Sequence, residues 1–190
     1  MIRIYTANFG GDRAFYGSLR FKAGFDAGKK RSAQSEAARL LLFEGLKRDF
    51  GYTDTPEFTY GKHGKPYLHS PGGEALRLWF NVSHSGDYAV CAISDEGEIG
   101  IDIQKIAPAK MKVAARIFSA EQCRSLLEKE GAERDALFCE YWVLHESTVK
   151  LYGGGVFDKV DISCAKLVDG SPDGYRVAVA VAAGRKTHEK

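Results

Sequence analysis

A chain of 190 residues, 44% hydrophobic and 27% charged, is long enough to bury a sizeable core and has the make-up of an ordinary globular protein, as one large domain or two small lobes. No apolar run approaches the length that crosses a bilayer, and Met1-Ile2-Arg3-Ile4-Tyr5 lacks the pattern of a secretory leader, so a cytoplasmic protein without a membrane role is expected. The net charge of +2 hides an asymmetry: residues 1–80 carry 13 Lys and Arg against 8 Asp and Glu, and residues 81–190 carry 14 against 17, which suits a small polyanionic ligand and is too weak an excess for a nucleic-acid partner.

Cys91, Cys123, Cys139 and Cys164 are scattered, with no Cys-x-x-Cys pair and no His at ligand spacing. That argues against zinc and a disulfide framework, and for free thiols in a reducing compartment.

Residues 2–9 alternate well enough for an opening strand, ended by Gly10-Gly11-Asp12. The glycine-punctuated basic stretch that follows (Arg20, Lys22, Lys29, Lys30, Arg31) gives no firm element. Ser32 is a good N-cap for a helix to about Asp49, with Gly51 beyond its end. Ala33, Ala37, Leu40, Leu41 and Leu46 form its apolar face, and Arg39 lies at the margin, solvated by default. A short strand is expected after Pro56. Gly61-Lys62-His63-Gly64-Lys65-Pro66-Tyr67 then reads as a loop whose two lysines are either solvated or mobile point charges for phosphates.

Leu78–Ser83 and Tyr88–Ser94 read as strands joined by a His84-Ser85-Gly86-Asp87 turn, and Asp95-Glu96-Gly97-Glu98 turns into a third strand, Ile99–Gln104. Three strands with short joints predict an antiparallel meander and an α+β fold. In the third strand Ile99, Ile101 and Ile103 take one face, and Gly100, Asp102 and Gln104 the other. An acid beside a side-chain amide, with Gly100 leaving room, suits a hard cation or a phosphate–metal pair. The plainer reading is a solvated Asp on a half-exposed strand.

Lys110–Phe118 is basic and partly apolar. Ser119-Ala120-Glu121-Gln122 is a capping box opening a helix that ends near Gly131. A longer helix, about Ala132 to Tyr152, is apolar round most of its circumference and should be largely buried. Trp142, Glu146 and Lys150 fall along one side of it. A buried Glu needs a partner. Either it pairs with Lys150, worth about 0.3–0.5 kcal/mol, or it meets Asp102 across a metal. Strands at 160–168 and 174–183 and a polar tail close the chain.

Phe80-Asn81-Val82-Ser83-His84-Ser85, Gly100-Ile101-Asp102-Ile103-Gln104, Phe118-Ser119-Ala120-Glu121 and Trp142-x-x-x-Glu146-Ser147-x-x-Lys150 occur in that order. In order and spacing they resemble the 4′-phosphopantetheinyl transferases of the two-lobed, surfactin-synthetase-activating class, and Gly64-Lys65-Pro66 and Arg39 match that family's upstream motifs. The resemblance spans about residues 30–160. It implies two pseudo-twofold-related α+β lobes, each an antiparallel sheet packed on a long helix. Residues 1–97 would be the N-terminal, coenzyme A phosphate-binding lobe and residues 98–190 the C-terminal, metal-binding and catalytic lobe. The implied reaction moves 4′-phosphopantetheine from coenzyme A, with Mg²⁺, to a serine of an acyl or peptidyl carrier protein and releases 3′,5′-ADP.

On this resemblance Asp102, Glu146 and Gln104 hold the metal. Glu146 is the base, Lys150 steadies the phosphates, and Arg39, Lys65, Ser83, His84 and His145 contact coenzyme A. Two positions depart from the family pattern: His145 stands where a Lys precedes the Glu, and Gln104 where many two-lobed members carry Glu. The departures leave open a weakened relative that binds coenzyme A or carrier protein without efficient transfer. A phosphohydrolase using the same acids is a more distant alternative. Lys110, Lys112, Arg116 and Phe118 either meet the acidic helices typical of carrier proteins or belong to an ordinary connecting segment. Two lobes in one chain make a complete site, so a monomer is expected.

Overall fold

The computed structural model describes residues 1–9, 33–61 and 63–182. The Ser32 cap, the basic stretch before it, Lys62 and the polar tail from 183 lie outside those residues. Strand β1 (Ile2–Asn8) and helix α1 (Ala33–Phe50) are followed by a hairpin of β2 (Glu57–Tyr60) and β3 (Pro66–His69). Strands β4 (Trp79–Ser85), β5 (Tyr88–Ser94) and β6 (Ile99–Lys105) come next, then helices α2 (Met111–Ile117), α3 (Ala120–Leu127) and α4 (Gly131–Tyr152). A 3₁₀ turn (Ile162–Cys164) and strands β7 (Ala165–Leu167) and β8 (Tyr175–Val181) complete the described chain.

This is a mixed fold of antiparallel sheets and, among the described residues, four α-helices. One sheet has the order β1-β5-β4, with β5 in the middle and both neighbours antiparallel to it. The other has the order β6-β8-β7. The expected meander therefore fails at its third member: β6 leaves β5 and pairs with β8, more than seventy positions along. The two strands of the β4–β5 hairpin extend to Ser85 and Tyr88, so His84 sits on a strand and not in the turn. The 160–168 strand shrinks to three residues behind a 3₁₀ turn that Asp161 caps through Ser163.

Helix α1 covers the first sheet and turns a slightly different face to it than its sequence suggests. Ala38, Leu42 and Leu46 are buried, with Leu42 and Leu46 packed against Phe80, Cys91 and Ile93, whereas Leu40 and Leu41 are only half-buried. Helix α4 covers the second sheet and ends at Gly153, whose left-handed conformation (φ 65°, ψ 34°) lets the chain leave the last turn. The capping box of α3 is formed as its sequence predicts, with Ser119 and Gln122 exchanging bonds.

The isoleucines of β6 explain how the two sheets meet. Ile99, Ile101 and Ile103 are fully buried against Val90 and Ala92 of β5 and Val177 of β8, a gain of about 1.5–3 kcal/mol for each side chain. Polar residues on one face of β4 complete the junction. Asn81 Oδ1 accepts from Ile101 N at 3.1 Å, and Ser85 Oγ from Lys105 N at 3.0 Å. Between them Ser83 Oγ donates to Asp102 Oδ1 at 2.7 Å.

Gly100 corrects the sequence reading outright. It opens no space beside Asp102: a Cβ there would lie 2.0 Å from Ser147 O and 2.5 Å from Leu151 N. The missing side chain is what lets α4 lie directly on β6. Strand β6 is therefore covered on both faces, and Asp102 is buried rather than solvated.

Candidate active site

A cavity of about 450 Å³ lies between α1, the β2–β3 hairpin, β4, β6 and α4, a size typical of small-molecule sites. Arg39, Ser83, His84, Asp102, Gln104, Trp142, Glu146 and Lys150 all line it. Their elements explain the convergence. Ser83 and His84 lie in the last three residues of β4, Asp102 and Gln104 share a face of β6, and Trp142, Glu146 and Lys150 descend one side of α4.

Lys150 Nζ donates to Asp102 Oδ1 at 2.6 Å and to Ser83 Oγ at 2.8 Å, and Ser83 in turn donates to the same carboxylate oxygen. The Glu146–Lys150 pair open at the sequence level is thus not formed: the ammonium is spent on Asp102. Glu146 Oε1 is buried without a hydrogen-bond partner. Burial, then the nearby Asp102 charge, push the Glu146 carboxyl up to about 7, with Lys150 pulling the other way. A carboxyl poised there is half-ionised near neutral pH, the condition a general base requires.

His84 is held below its usual value, first by burial and then by the Lys150 ammonium, which favours the neutral imidazole. Arg39 is not free in solvent: its guanidinium lies 4.7 Å from the centre of the Phe58 ring, on the wall of the cavity. Gln104 faces the same space and donates to Lys105 O at 3.4 Å.

Three expected site residues lie elsewhere. Lys65 is buried outside the cavity lining, its Nζ donating to Glu98 and, at 2.6 Å, to Leu151 O. His145 is turned to the other side of α4, where Nε2 is 3.0 Å from Val156 O and the ring meets those of Phe118 and Trp142. Phe118 is buried against Phe138 and Tyr141, so it offers no surface to a partner. Lys110, Lys112 and Arg116 are exposed, Arg116 lying over the Phe157 ring.

Sequence reasoning missed Asn81, which ties β4 to β6, and the aromatic wall of Phe58 and Tyr60 on β2. An exposed aromatic next to a glycine–lysine loop was the available signal.

The donor set fits a hard divalent cation. Two buried carboxylates repel each other, one of their oxygens lacks any partner, and a side-chain amide oxygen is available on the same strand face. Among the described residues no third His, Cys, Asp or Glu joins them, so remaining positions would fall to Gln104, water and ligand oxygens.

Residues 98–183 match the model of the 4′-phosphopantetheinyl transferase superfamily. The chain is 36% identical over 135 residues to the 4′-phosphopantetheinyl transferase AcpT of Salmonella typhi, covering 70% of this chain and 65% of that one. It is 33% identical over 145 residues to a 4′-phosphopantetheinyl transferase of Bacillus subtilis, covering 72% and 62%. Against the 4′-phosphopantetheinyl transferase Sfp of Bacillus subtilis (strain 168) it is 38% identical over 110 residues, covering 58% and 47%. The chain thus spans less than two thirds of each of these relatives. The matched family segment is the one that holds Asp102, Glu146 and Lys150, and over it the chain is similar to the 4′-phosphopantetheinyl transferase superfamily.

Proposed function

We propose that this cavity binds coenzyme A with Mg²⁺ and that the protein transfers 4′-phosphopantetheine to a serine of an acyl or peptidyl carrier protein, releasing 3′,5′-ADP. The observation that carries the reading is a buried Glu146 oxygen with no partner beside the Asp102–Ser83–Lys150 group in one ligand-sized cavity. Asp102 and Glu146, with Gln104, would hold the metal, which when bound neutralises charge on the diphosphate.

The chain's own groups supply the rest. The carrier serine oxygen attacks the phosphorus that bears pantetheine, and the bond from that phosphorus to the 3′,5′-ADP oxygen breaks. Glu146 takes the serine proton, directly or through a water. Lys150, already beside Asp102, lies on the cavity wall as a point charge for the phosphates. Arg39 offers a planar cation on the aromatic wall, and Ser83 and His84 hydrogen-bonding groups beside it.

The same reading divides the chain at residue 97, with pseudo-twofold-related lobes 1–97 and 98–190, supported by the recurrence of a three-stranded antiparallel sheet on one long helix. It makes the protein a monomer. A cytoplasmic location is supported by four free cysteines, and no helix among the described residues is long and apolar enough to cross a membrane.

Intact mass of an apo carrier protein incubated with the protein, coenzyme A and Mg²⁺ tests the activity: one phosphopantetheine is gained. Asp102→Asn should slow the gain by about 100-fold or more with the circular dichroism spectrum unchanged. Coenzyme A bound tightly by the wild-type protein with no mass gain on several carriers would refute the transfer reading. The exposed Lys110, Lys112 and Arg116 are proposed to meet the carrier. Reversing their charge should raise the KM for carrier about tenfold, mainly through slower association, and leave the KM for coenzyme A unchanged.

A further inference from the structure

The lysine that a phosphate-binding motif would claim is committed elsewhere. We propose that Lys65 is a positioning residue, a buried clasp that fixes the β2–β3 wall of the cavity against the C-terminal end of α4, and not a ligand of the substrate's phosphates. The nucleotide readouts below rest on the proposed coenzyme A function; the clasp itself does not.

Lys65 leads directly into Pro66, the first residue of β3, and Phe58, Tyr60 and Pro66 of this hairpin line the cavity. Its side chain, only 6% exposed, reaches away from that cavity to α4 and to the turn before β6. There the ammonium meets the Glu98 carboxylate and donates to Leu151 O. Leu151 O is among the last carbonyls of α4, which have no partner within the helix. The bonds from Gly153 N and Gly154 N go to Lys150 O and Val149 O, so the cap serves those carbonyls and leaves Leu151 O to Lys65. A cation at this end is further favoured by the helix dipole. The Lys65 stem also lies over Gly153, within 3.8 Å of where a Cβ would stand.

Swinging Lys65 into the cavity would strand a buried carbonyl and break the pairing with Glu98, costs no single phosphate contact made in a wet cleft offsets. Held in place, the clasp does something for the site. Leu151 follows Lys150 directly, so gripping Leu151 O sets the distance between the Lys150 ammonium and the hairpin wall opposite. Lys65 therefore acts on ligand affinity through the shape of the cavity.

Calorimetric titration of coenzyme A and of 3′-dephospho-coenzyme A, in Mg²⁺, into wild type, Lys65→Met, Glu98→Gln and the double variant tests this. A clasp predicts that both single variants weaken both ligands by the same factor, roughly fivefold to thirtyfold, and that the double variant is no weaker than Lys65→Met. Glu98→Gln, at a side chain 36% exposed, retains the fold if Lys65→Met does not. Tighter coenzyme A binding by Glu98→Gln, which would free the ammonium for phosphate, overturns the proposal. So does a Lys65→Met loss confined to the ligand bearing the 3′-phosphate. If wild type binds neither ligand, the functional reading fails and melting temperature decides the clasp: losses that overlap in the double variant support it, and additive losses refute it.

Discussion

Glu146→Gln should leave a protein that melts higher and transfers almost nothing. In the unfolded chain this carboxyl titrates near 4.5, while in the fold it keeps its proton until about 7. Folding therefore takes up a proton between those values. The group costs nothing below pH 4.5, stability declines as pH rises from 4.5 through 7, and the full penalty remains above. With allowance for the part of the side chain that opens to the cavity, that penalty is on the order of 2–3 kcal/mol. An amide of the same size has no charge to bury, so at pH 8 and without divalent cations the variant should melt roughly 5–10 °C above wild type. The two melting curves should converge near pH 4. Transfer should fall about a thousandfold, the scale of losing a positioned base. Calorimetry between pH 4 and 8.5, with the mass assay alongside, reads both arms. A variant that is destabilised at pH 8 would show that Glu146 supports the fold and that its missing partner has been misassigned. A stability gain paired with a lost activity is the mark of a group kept for function.

The coenzyme A and carrier-protein chemistry aside, the acids were legible because they sit in strongly periodic elements. Two-residue alternation at Ile99–Gln104 fixed which side Asp102 takes, and four-residue spacing from Trp142 to Lys150 fixed which side Glu146 takes. What periodicity does not encode is what covers each face. Nothing local to β6 shows that α4 lies on its Asp102 face, so Gly100 was read as a gap when it is a contact. Strand partnership failed for the same reason, since β6 pairs with a strand beyond α4 and a long-range choice left no mark in the turn Asp95–Glu98. Charge misled at Lys65 and His145. Both are polar residues inside motifs, yet the first is used at a helix end and the second beside Val156 O, partners chosen by tertiary packing. Lys150 went the other way: its neighbour along the helix was Glu146, and a residue brought in from another element took it.

Gly100→Ala should be the most damaging substitution in the described chain for its size. The added carbon would sit 2.0 Å from Ser147 O, 2.5 Å from Leu151 N and 3.0 Å from Leu151 Cα. All three are backbone atoms of α4, so no side chain can rotate out of the way. Either the helix lifts from β6 along much of its length or the strand bends. Each response opens the contact that buries Ala178 and Ala180 of β8 together with β6. A loss on the order of 4 kcal/mol or more is expected, read as a fall in melting temperature of roughly 10 °C or as failure to accumulate folded protein. Gly72→Ala is the control, because a Cβ there meets only Ser70 Oγ at an ordinary 3.8 Å, and it should stay within about 0.5 kcal/mol of wild type. Where Gly100→Ala does fold, its activity should suffer beyond its stability. Ser147 follows Glu146 and Leu151 follows Lys150, so the two backbone positions that must yield are those next to the proposed base and the ammonium that holds Asp102. A shift of about 1 Å there is enough to cost a hundredfold in rate. Gly100→Ala melting within 2 °C of wild type would mean that α4 has slack against β6, and the close approach that brings Glu146 and Lys150 to Asp102 would no longer rest on this glycine.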